Sequence, residues 1–278
     1  MDLKSKIILI SGPTASGKSS FAIKLAKKIK GEIINADSMQ VYKQLKILSA
    51  RPDPKNYQSI KHHLYGFQDV KKSFSTGDWL KLVNKKILYL RKRKKTPILV
   101  GGTGLYFKAL TNGLVDIPKI PKKYREKVRS LYKKIGPKKF FLKLISIDPL
   151  TKNKINPSDS QRSIRAYEIK SFTKKSIFEW FEKTKSNYDE GDFYKIYIDY
   201  PRNELLKKIE IRAREMIKNG AVREVKKFSK IKIMSNKTAN KAIGIAEIKA
   251  YLGKKIDIYE VIEKISIKTR QYAKRQRT

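Results

Sequence analysis

The chain has 278 residues, enough to bury a large core and to form one to three domains. Lysine and arginine number 66 against 25 aspartates and glutamates, a formal net charge of +41, which points to a polyanionic partner, nucleic acid before an anionic membrane. There is no cysteine, which excludes disulfides, a thiolate zinc site and a cysteine nucleophile, and no apolar run approaches the roughly 18 residues that span a bilayer.

Lysine greatly outnumbers arginine and is scattered along the chain, so compositional bias accounts for part of the excess. Met1-Asp2-Leu3-Lys4 leads straight into the first apolar segment and leaves no room for a signal peptide; a cytoplasmic chain with no membrane partner is expected. Ile7 to Ile10 has the length of a buried parallel strand, and Phe21, Ala22, Leu25, Ala26 and Ile29 recur at helical spacing. Between them stands Gly12-Pro13-Thr14-Ala15-Ser16-Gly17-Lys18-Ser19, which fits G-x-x-x-x-G-K-[ST]. Gly12 and Gly17 let the backbone turn tightly, so that successive amides cradle phosphate oxygens at a helix N-terminus. Lys18 adds a point charge for the outer phosphates, and Ser19 offers a hydroxyl to Mg²⁺. The loop asks for a diphosphate or more without saying which molecule carries it.

A second strand is expected over Glu32 to Ala36, ending at Asp37-Ser38-Met39-Gln40-Val41-Tyr42. Ligands of open α/β sheets bind beyond the carboxyl ends of strands, so Asp37 either faces the crevice of the phosphate loop or caps a short helix. Residues 49–66 read as irregular, broken by Pro52 and Pro54, and the adjacent His62 and His63 suit packing or hydrogen bonding better than metal. Asp78 to Arg93 reads as a helix, Pro97 to Val100 as a third strand, and Gly101-Gly102-Thr103-Gly104 as a second glycine turn opening a helix.

From Gly113 the texture changes to basic helices, over 121–135, 137–147, 160–172 and 177–183. Residues 113–195 therefore read as a helical insertion in an α/β core made of residues 1–112 and 196–278. Asp159 can cap a helix on which Gln161 and Arg165 share a face. Tyr194 to Tyr200 alternates as a strand, and Asn203 to Asn219 forms a helix ended by Gly220. Arg212 falls inside that helix's apolar stripe, where it either reaches a ligand's phosphates or sits in a buried ion pair. Helices are expected over 238–252 and from Asp257 to the end, the last with Arg270, Lys274 and Arg277 on one face as a plausible backbone-contact stripe.

In order along the chain, GPTASGKS, DSMQVY at 37–42, GGTGLYFKAL at 101–110, DSQRSIRAYE at 159–168, Arg212 in its helix and TRQYAKRQ at 269–276 resemble one family: tRNA dimethylallyltransferase, also called isopentenyl-tRNA transferase. Two segments depart from its pattern: Ser49 and Arg51 stand where threonine and lysine are usual, and Lys241, Ile245 and Ala246 where glutamine, tyrosine and lysine are. The resemblance implies a P-loop core with a helical insertion, and transfer of a dimethylallyl group from its diphosphate to N6 of the adenosine at tRNA position 37, 3′ of the anticodon. It implies that Gly12 to Ser19 hold the diphosphate, with Ser19 on Mg²⁺, and that Lys18 and Arg212 stabilise the leaving diphosphate. Asp37 would be the general base and Thr103 would approach the base or reacting centre. Ser38, Met39, Gln40, Arg125, Gln161, Arg162, Ser163, Ile164 and Arg165 would meet the anticodon stem-loop. A monomer is expected. Two other readings remain on the sequence alone, an ATP-dependent small-molecule kinase and a non-catalytic RNA-binding protein.

Overall fold

A five-stranded, wholly parallel sheet sets the loops that matter at one edge. The computed structural model describes residues 3, 5–182, 184–234 and 237–277; Met1, Asp2 and Lys4 ahead of the first strand, and Lys183 at the end of an expected helix, lie outside the described residues. In chain order come β1 (Ile7–Ser11), α1 (Lys18–Ile29), β2 (Gly31–Asn35), β3 (His62–His63), α2 (Thr76–Lys92), β4 (Thr96–Val100), α3 (Gly104–Asn112) and β5 (Phe193–Tyr197). The strand order is β3-β2-β4-β1-β5, with Ile8 level with Ile98 on one side and Tyr194 on the other.

Both faces of the sheet are covered, which is why its central strands read as continuous apolar runs. Ile7, Leu9, Ile34 and Leu99 pack on Trp79, Val83, Ile87 and Leu90 of α2 and on Tyr106 and Leu110 of α3. The alternate residues Ile8, Ile10, Ile33, Ile98 and Val100 pack on Ala22, Ile23 and Ala26 of α1. Each fully buried Leu or Ile stabilises by about 1.5–3 kcal/mol, so a one-residue slip of any strand would forfeit several such terms at once. Because all strands run the same way, the loops after β1, β2 and β4 emerge at one edge.

Local chemistry corrects several expected boundaries. Helix α2 starts at Thr76 rather than Asp78, because Ser75 and Asp78 close a capping box: Ser75 Oγ accepts the Asp78 N–H at 3.1 Å, and Asp78 Oδ2 accepts the Ser75 N–H at 2.9 Å. The stretch expected to be irregular contains the two-residue edge strand β3, too short to leave a periodic signal. Its His63 bonds Glu32 through Nε2 at 2.6 Å, and His62 stacks on Tyr57 with ring centroids 3.6 Å apart. Among the described residues there is no group of three His, Cys, Asp or Glu able to hold a metal ion.

The chain divides into two compact units, Met1–Thr111 with Tyr188–Thr278, and Asn112–Asn187. Residues 188–195, expected in the insertion, belong with the sheet, where Tyr188 packs against Phe193. The second unit holds α4 (Lys122–Ile147), α5 (Ser160–Thr173) and α6 (Ile177–Glu182). Helix α4 is broken at Gly136 (φ 76°, ψ 169°) just before Pro137, so two helical segments meet there. Phe141 and Leu144 of α4 pack on Ile155 and on Ala166 of α5.

The first unit closes with α7 (Arg202–Lys218), α8 (Ala221–Ser229), α9 (Ile245–Leu252) and α10 (Ile258–Arg275) around Val41, Leu45, Val70, Ala213, Val225, Phe228, Ile248, Val261 and Ile265. Helix α8 is not among the expected elements; Gly220 ends one helix and, at φ 99°, starts the next. The helix expected over 238–252 is a 3₁₀ turn, Thr238–Lys241, followed by α9, since Gly244 at φ 101° interrupts any continuous α-helix. Among the described residues no helix is long and apolar enough to cross a membrane.

Candidate active site

The phosphate loop leaves β1 at Ser11 and enters α1 at Lys18. Gly12 has φ 143°, and a Cβ there would stand 2.5 Å from the Ile198 carbonyl oxygen, so both conformation and space require glycine. Ala15 (φ 68°) and Gly17 (φ 83°) continue the tight turn and bring the loop to the N-terminus of α1. Lys18 Nζ donates to the Pro13 carbonyl at 2.5 Å. Burial pushes its ammonium down to about 8; the Asp37 carboxylate acts to raise it and Arg212 to lower it. The buried Ser16 hydroxyl has no hydrogen-bond partner among the described residues.

Asp37 is held by the end of β2. Asn35 Nδ2 donates to the carbonyls of Asp37 and Leu64, each at 3.0 Å, and Asn35 Oδ1 accepts the Asp37 N–H at 2.9 Å. Trp79 fixes Asn35 in turn, Nε1–H donating to its carbonyl at 2.9 Å. Asp37 Oδ1 accepts the N–H groups of Met39 (2.8 Å) and Gln40 (3.3 Å), the Asx turn that aspartate forms readily. The two amides leave Oδ2 out of the turn. Burial raises the Asp37 carboxyl above the ordinary carboxylate range, while those two amides and Lys18 oppose the shift. The capping alternative for Asp37 is thus met by one oxygen alone.

The second glycine turn abuts this one. A Cβ on Gly101 would collide with the Ala36 carbonyl, so only glycine lets the ends of β4 and β2 approach so closely. Thr103 Oγ1 accepts the Ser38 N–H at 3.0 Å. Beyond the turn, Glu224 of α8 accepts the N–H groups of Lys46, Ile47 and Leu48 at 2.7, 2.8 and 3.0 Å. It thereby fixes a loop that Gln40 also ties, Nε2 donating to the Ser49 carbonyl at 3.1 Å.

These pieces enclose one cavity of about 300 Å³. Thr14, Arg212 and Asp37 give its wall polar groups, while Leu48, Ile209, Met216 and Ile265 give it an apolar side. Arg212 Nη1 donates to Thr14 Oγ1 at 3.2 Å. Burial lowers the Arg212 pKa, and Glu215 opposes the shift without closing to a salt bridge. The buried ion pair that was the alternative for Arg212 is therefore absent among the described residues; the guanidinium faces the phosphate loop. Tyr272 of α10 also lines the cavity, and burial pushes its hydroxyl up to about 12. The arrangement can seat an anionic group at one end and a short apolar chain along its side, within reach of a carboxylate.

A family model described as IPP transferase matches residues 40–278. A relative in Pelagibacter ubique, described as a tRNA dimethylallyltransferase, is 61% identical over 278 residues, covering 100% of this chain and 89% of the relative. The chain belongs to the IPP transferase family. A second relative of that description, from Agrobacterium fabrum, is 41% identical over 279 residues and covers 100% of this chain and 94% of its own. Among solved structures, a eukaryotic dimethylallyltransferase acting on tRNA superposes with a TM-score of 0.85 at 30% identity, over 98% of this chain and 69% of the other. The tRNA isopentenylpyrophosphate transferase of Bacillus halodurans gives 0.68 at 31% identity, over 98% and 85%.

In this IPP transferase the candidate site residues fall into two groups. Thr14, Asp37, Ser38, Met39, Gln40 and Arg212 share the cavity wall, Thr103 bonds Ser38, and Lys18 and Ser19 open α1. In the second unit Arg125 Nε and Arg165 Nη1 each lie 3.2 Å from Glu168, and Arg129 joins them at 3.8 Å; Glu168 is only 1% exposed. Arg162 pairs with Asp159 at 3.4 Å and is 74% exposed. Gln161 is exposed and Ile164 half-buried, but Ser163 is buried, so its hydroxyl is not at the surface of the unit. The basic stripe expected on the last helix is not a free face: Arg277 bonds Asp199 and the Tyr200 carbonyl, and Arg270 Nε is buried. Periodicity misses Glu168, Glu224 and Tyr272 as organising groups. A lone acid among many bases is the available signal for the two glutamates.

Proposed function

We infer that the chain is a tRNA dimethylallyltransferase, moving a dimethylallyl group from dimethylallyl diphosphate to N6 of the adenosine at position 37, and that the cavity residues divide the work as follows. The diphosphate sits in the phosphate loop of residues 12–19, beside Lys18 and Arg212. The allylic chain lies against Leu48, Ile209, Met216 and Ile265. As the C1–O bond breaks, the electron pair leaves with the diphosphate, and charge develops where Arg212 and Lys18 stand. No carboxylate among the described residues pairs with Arg212 beforehand, so its full charge is available to the leaving group. The N6 lone pair bonds to C1, and the N6 proton passes to Asp37 Oδ2, the oxygen not held by backbone amides. A raised carboxyl pKa suits that task, since it makes the carboxylate a better proton acceptor.

Mg²⁺, when bound, neutralises part of the diphosphate charge. Ser19, a hard oxygen donor in the first turn of α1, would hold it.

The target base must leave its stack to enter the cavity, which is cheaper from an anticodon loop than from a duplex. Around Glu168 three arginines share one carboxylate, leaving net positive charge for RNA phosphates. A monomer acting in the cytoplasm, where tRNA is found, completes the reading.

The observation that carries this reading is the single cavity whose wall includes Thr14 and Arg212 at one part and Asp37 at another. The test is release of diphosphate from dimethylallyl diphosphate with and without unmodified tRNA. Release that requires tRNA is expected. ADP formation from ATP with a small acceptor and no tRNA would support a kinase instead, and tRNA binding without turnover would support an RNA-binding protein.

A further inference from the structure

The residue that follows α10 carries an amide that touches both glycine turns. Gln276 Oε1 accepts the Thr14 N–H at 2.7 Å, and Gln276 Nε2–H donates to the Gly102 carbonyl at 2.9 Å. Both ends of one planar amide are therefore committed, one to each loop. Tyr272, one turn earlier, lies close enough to Thr103 and Gln276 that both oppose the rise in its hydroxyl's pKa that burial causes. Thr14 in turn receives Arg212 on its hydroxyl, and Thr103 receives the Ser38 N–H next to Asp37. Hydrogen bonds through Thr14 and Gln276, continued by the Gly102–Thr103 peptide bond, thus join the arginine of the phosphate end to the residue beside the carboxylate.

We propose that Gln276 is a positioning residue, which sets the distance between the diphosphate site and the adenine site by tying Thr14 of one loop to Gly102 of the other. The proposal rests on the transferase reading. The Thr14 amide, which in a phosphate loop is free to meet a phosphate oxygen, is engaged by the glutamine. The loop's shape at that residue is therefore dictated by α10, and the diphosphate is received by the remaining amides and by Lys18 and Arg212. Gly102 is part of the same device: a Cβ there would fall on Gln276 Nε2. Its backbone is not left-handed, so the glycine serves the glutamine's approach rather than a turn. A shift of about 1 Å between reacting groups costs on the order of 10²-fold in rate, which is the scale of error this contact prevents.

The test is a double-mutant cycle of Gln276→Ala, Gly102→Ala and the two together, with kcat, both KM values and the unfolding midpoint measured for all four proteins. Each single substitution is expected to lower kcat by about tenfold or more, with KM for tRNA nearly unchanged and an unfolding midpoint that is lowered but leaves the protein folded in the assay. The double variant is expected to be no slower than Gln276→Ala alone, because the added methyl fills space the amide has left. Additive losses, or an unchanged kcat in Gln276→Ala, would overturn the proposal. Gln276→Glu guards against a misfolded alanine variant: it keeps an acceptor for Thr14 but turns a carboxylate oxygen on the Gly102 carbonyl, and parental kcat in it would also overturn the role. A parent protein that transfers nothing refutes the activity reading instead; the Gly102–Gln276 coupling is then read from unfolding, where additive midpoint shifts overturn the contact itself.

Discussion

Replacing Asp37 by asparagine separates the shape of this side chain from its charge. Asn Oδ1 can still accept the amides of Met39 and Gln40, so the turn after β2 is kept. What is lost, on the proposed role of Asp37, is the acceptor for the N6 proton. General-base catalysis contributes about 10²- to 10⁴-fold, so kcat should fall by that factor, or about 3–5 kcal/mol of barrier. Stability should move the other way. The folded carboxyl has a pKa raised by burial, so the folded state binds a proton more tightly than the unfolded one. That increment is present at low pH and is lost as pH rises from the ordinary carboxyl value through the raised folded value. At neutral pH the charged side chain is thus a liability to the fold, and asparagine removes it. A second effect follows at Lys18: without the Asp37 charge its pKa falls below about 8, which weakens binding of dimethylallyl diphosphate. The assay is single-turnover transfer with both substrates saturating, alongside denaturant unfolding at neutral pH. A kcat within about threefold of the parent, far short of the general-base factor, or an activity loss matched by unfolding, would refute the reasoning.

Arg212→Ala should lower kcat by about 10²- to 10³-fold, the usual loss for one donor aimed at developing charge, and should raise KM for dimethylallyl diphosphate but not for tRNA; unchanged kinetics with the diphosphate would make the arginine structural. The kcat/KM for dimethylallyl diphosphate should fall on both sides of neutrality. It falls toward acid as Asp37 takes up its proton, above the ordinary carboxylate range, and toward alkali above about 8 as Lys18 loses its own. A profile flat through pH 8 and beyond contradicts the Lys18 assignment. Glu224→Gln should destabilise the first unit by about 1.5–3 kcal/mol in denaturant unfolding, because the amides of residues 46–48 lose a charged acceptor. Unaltered stability would mean the loop is held elsewhere.

The first strand, the phosphate loop and the first helix are legible in the sequence because three local signals coincide there. The apolar run Ile7 to Ile10, the motif Gly12 to Ser19 and the helical period from Phe21 to Ile29 follow one another directly. Asp37 is legible for a related reason, since a parallel sheet sends every strand's carboxyl end to the same edge. What escapes the pattern depends on partners distant in the chain. Strand β3 is two residues long and is defined by pairing with β2, not by its own composition. Helix α8 starts at the same left-handed Gly220 that marks the expected end of the helix before it, so the glycine reads as a stop and not as a new start. Gly244 divides the expected helix over 238–252 in the same way. Arg125 and Arg165 stand on different helices and meet only at Glu168, so no local spacing could show that they share a carboxylate. Gln276 lies 262 positions from Thr14, and only the fold brings its amide to the phosphate loop.

The most direct measurement is to incubate the protein with unmodified tRNA, Mg²⁺ and dimethylallyl diphosphate, digest the RNA and locate any added mass by mass spectrometry. One dimethylallyl group on N6 of adenosine 37, formed at least about a hundredfold more slowly when Asp37→Asn replaces the parent protein, is the predicted result. RNA that returns unmodified, or a prenyl group found on another atom or nucleotide, would contradict the account.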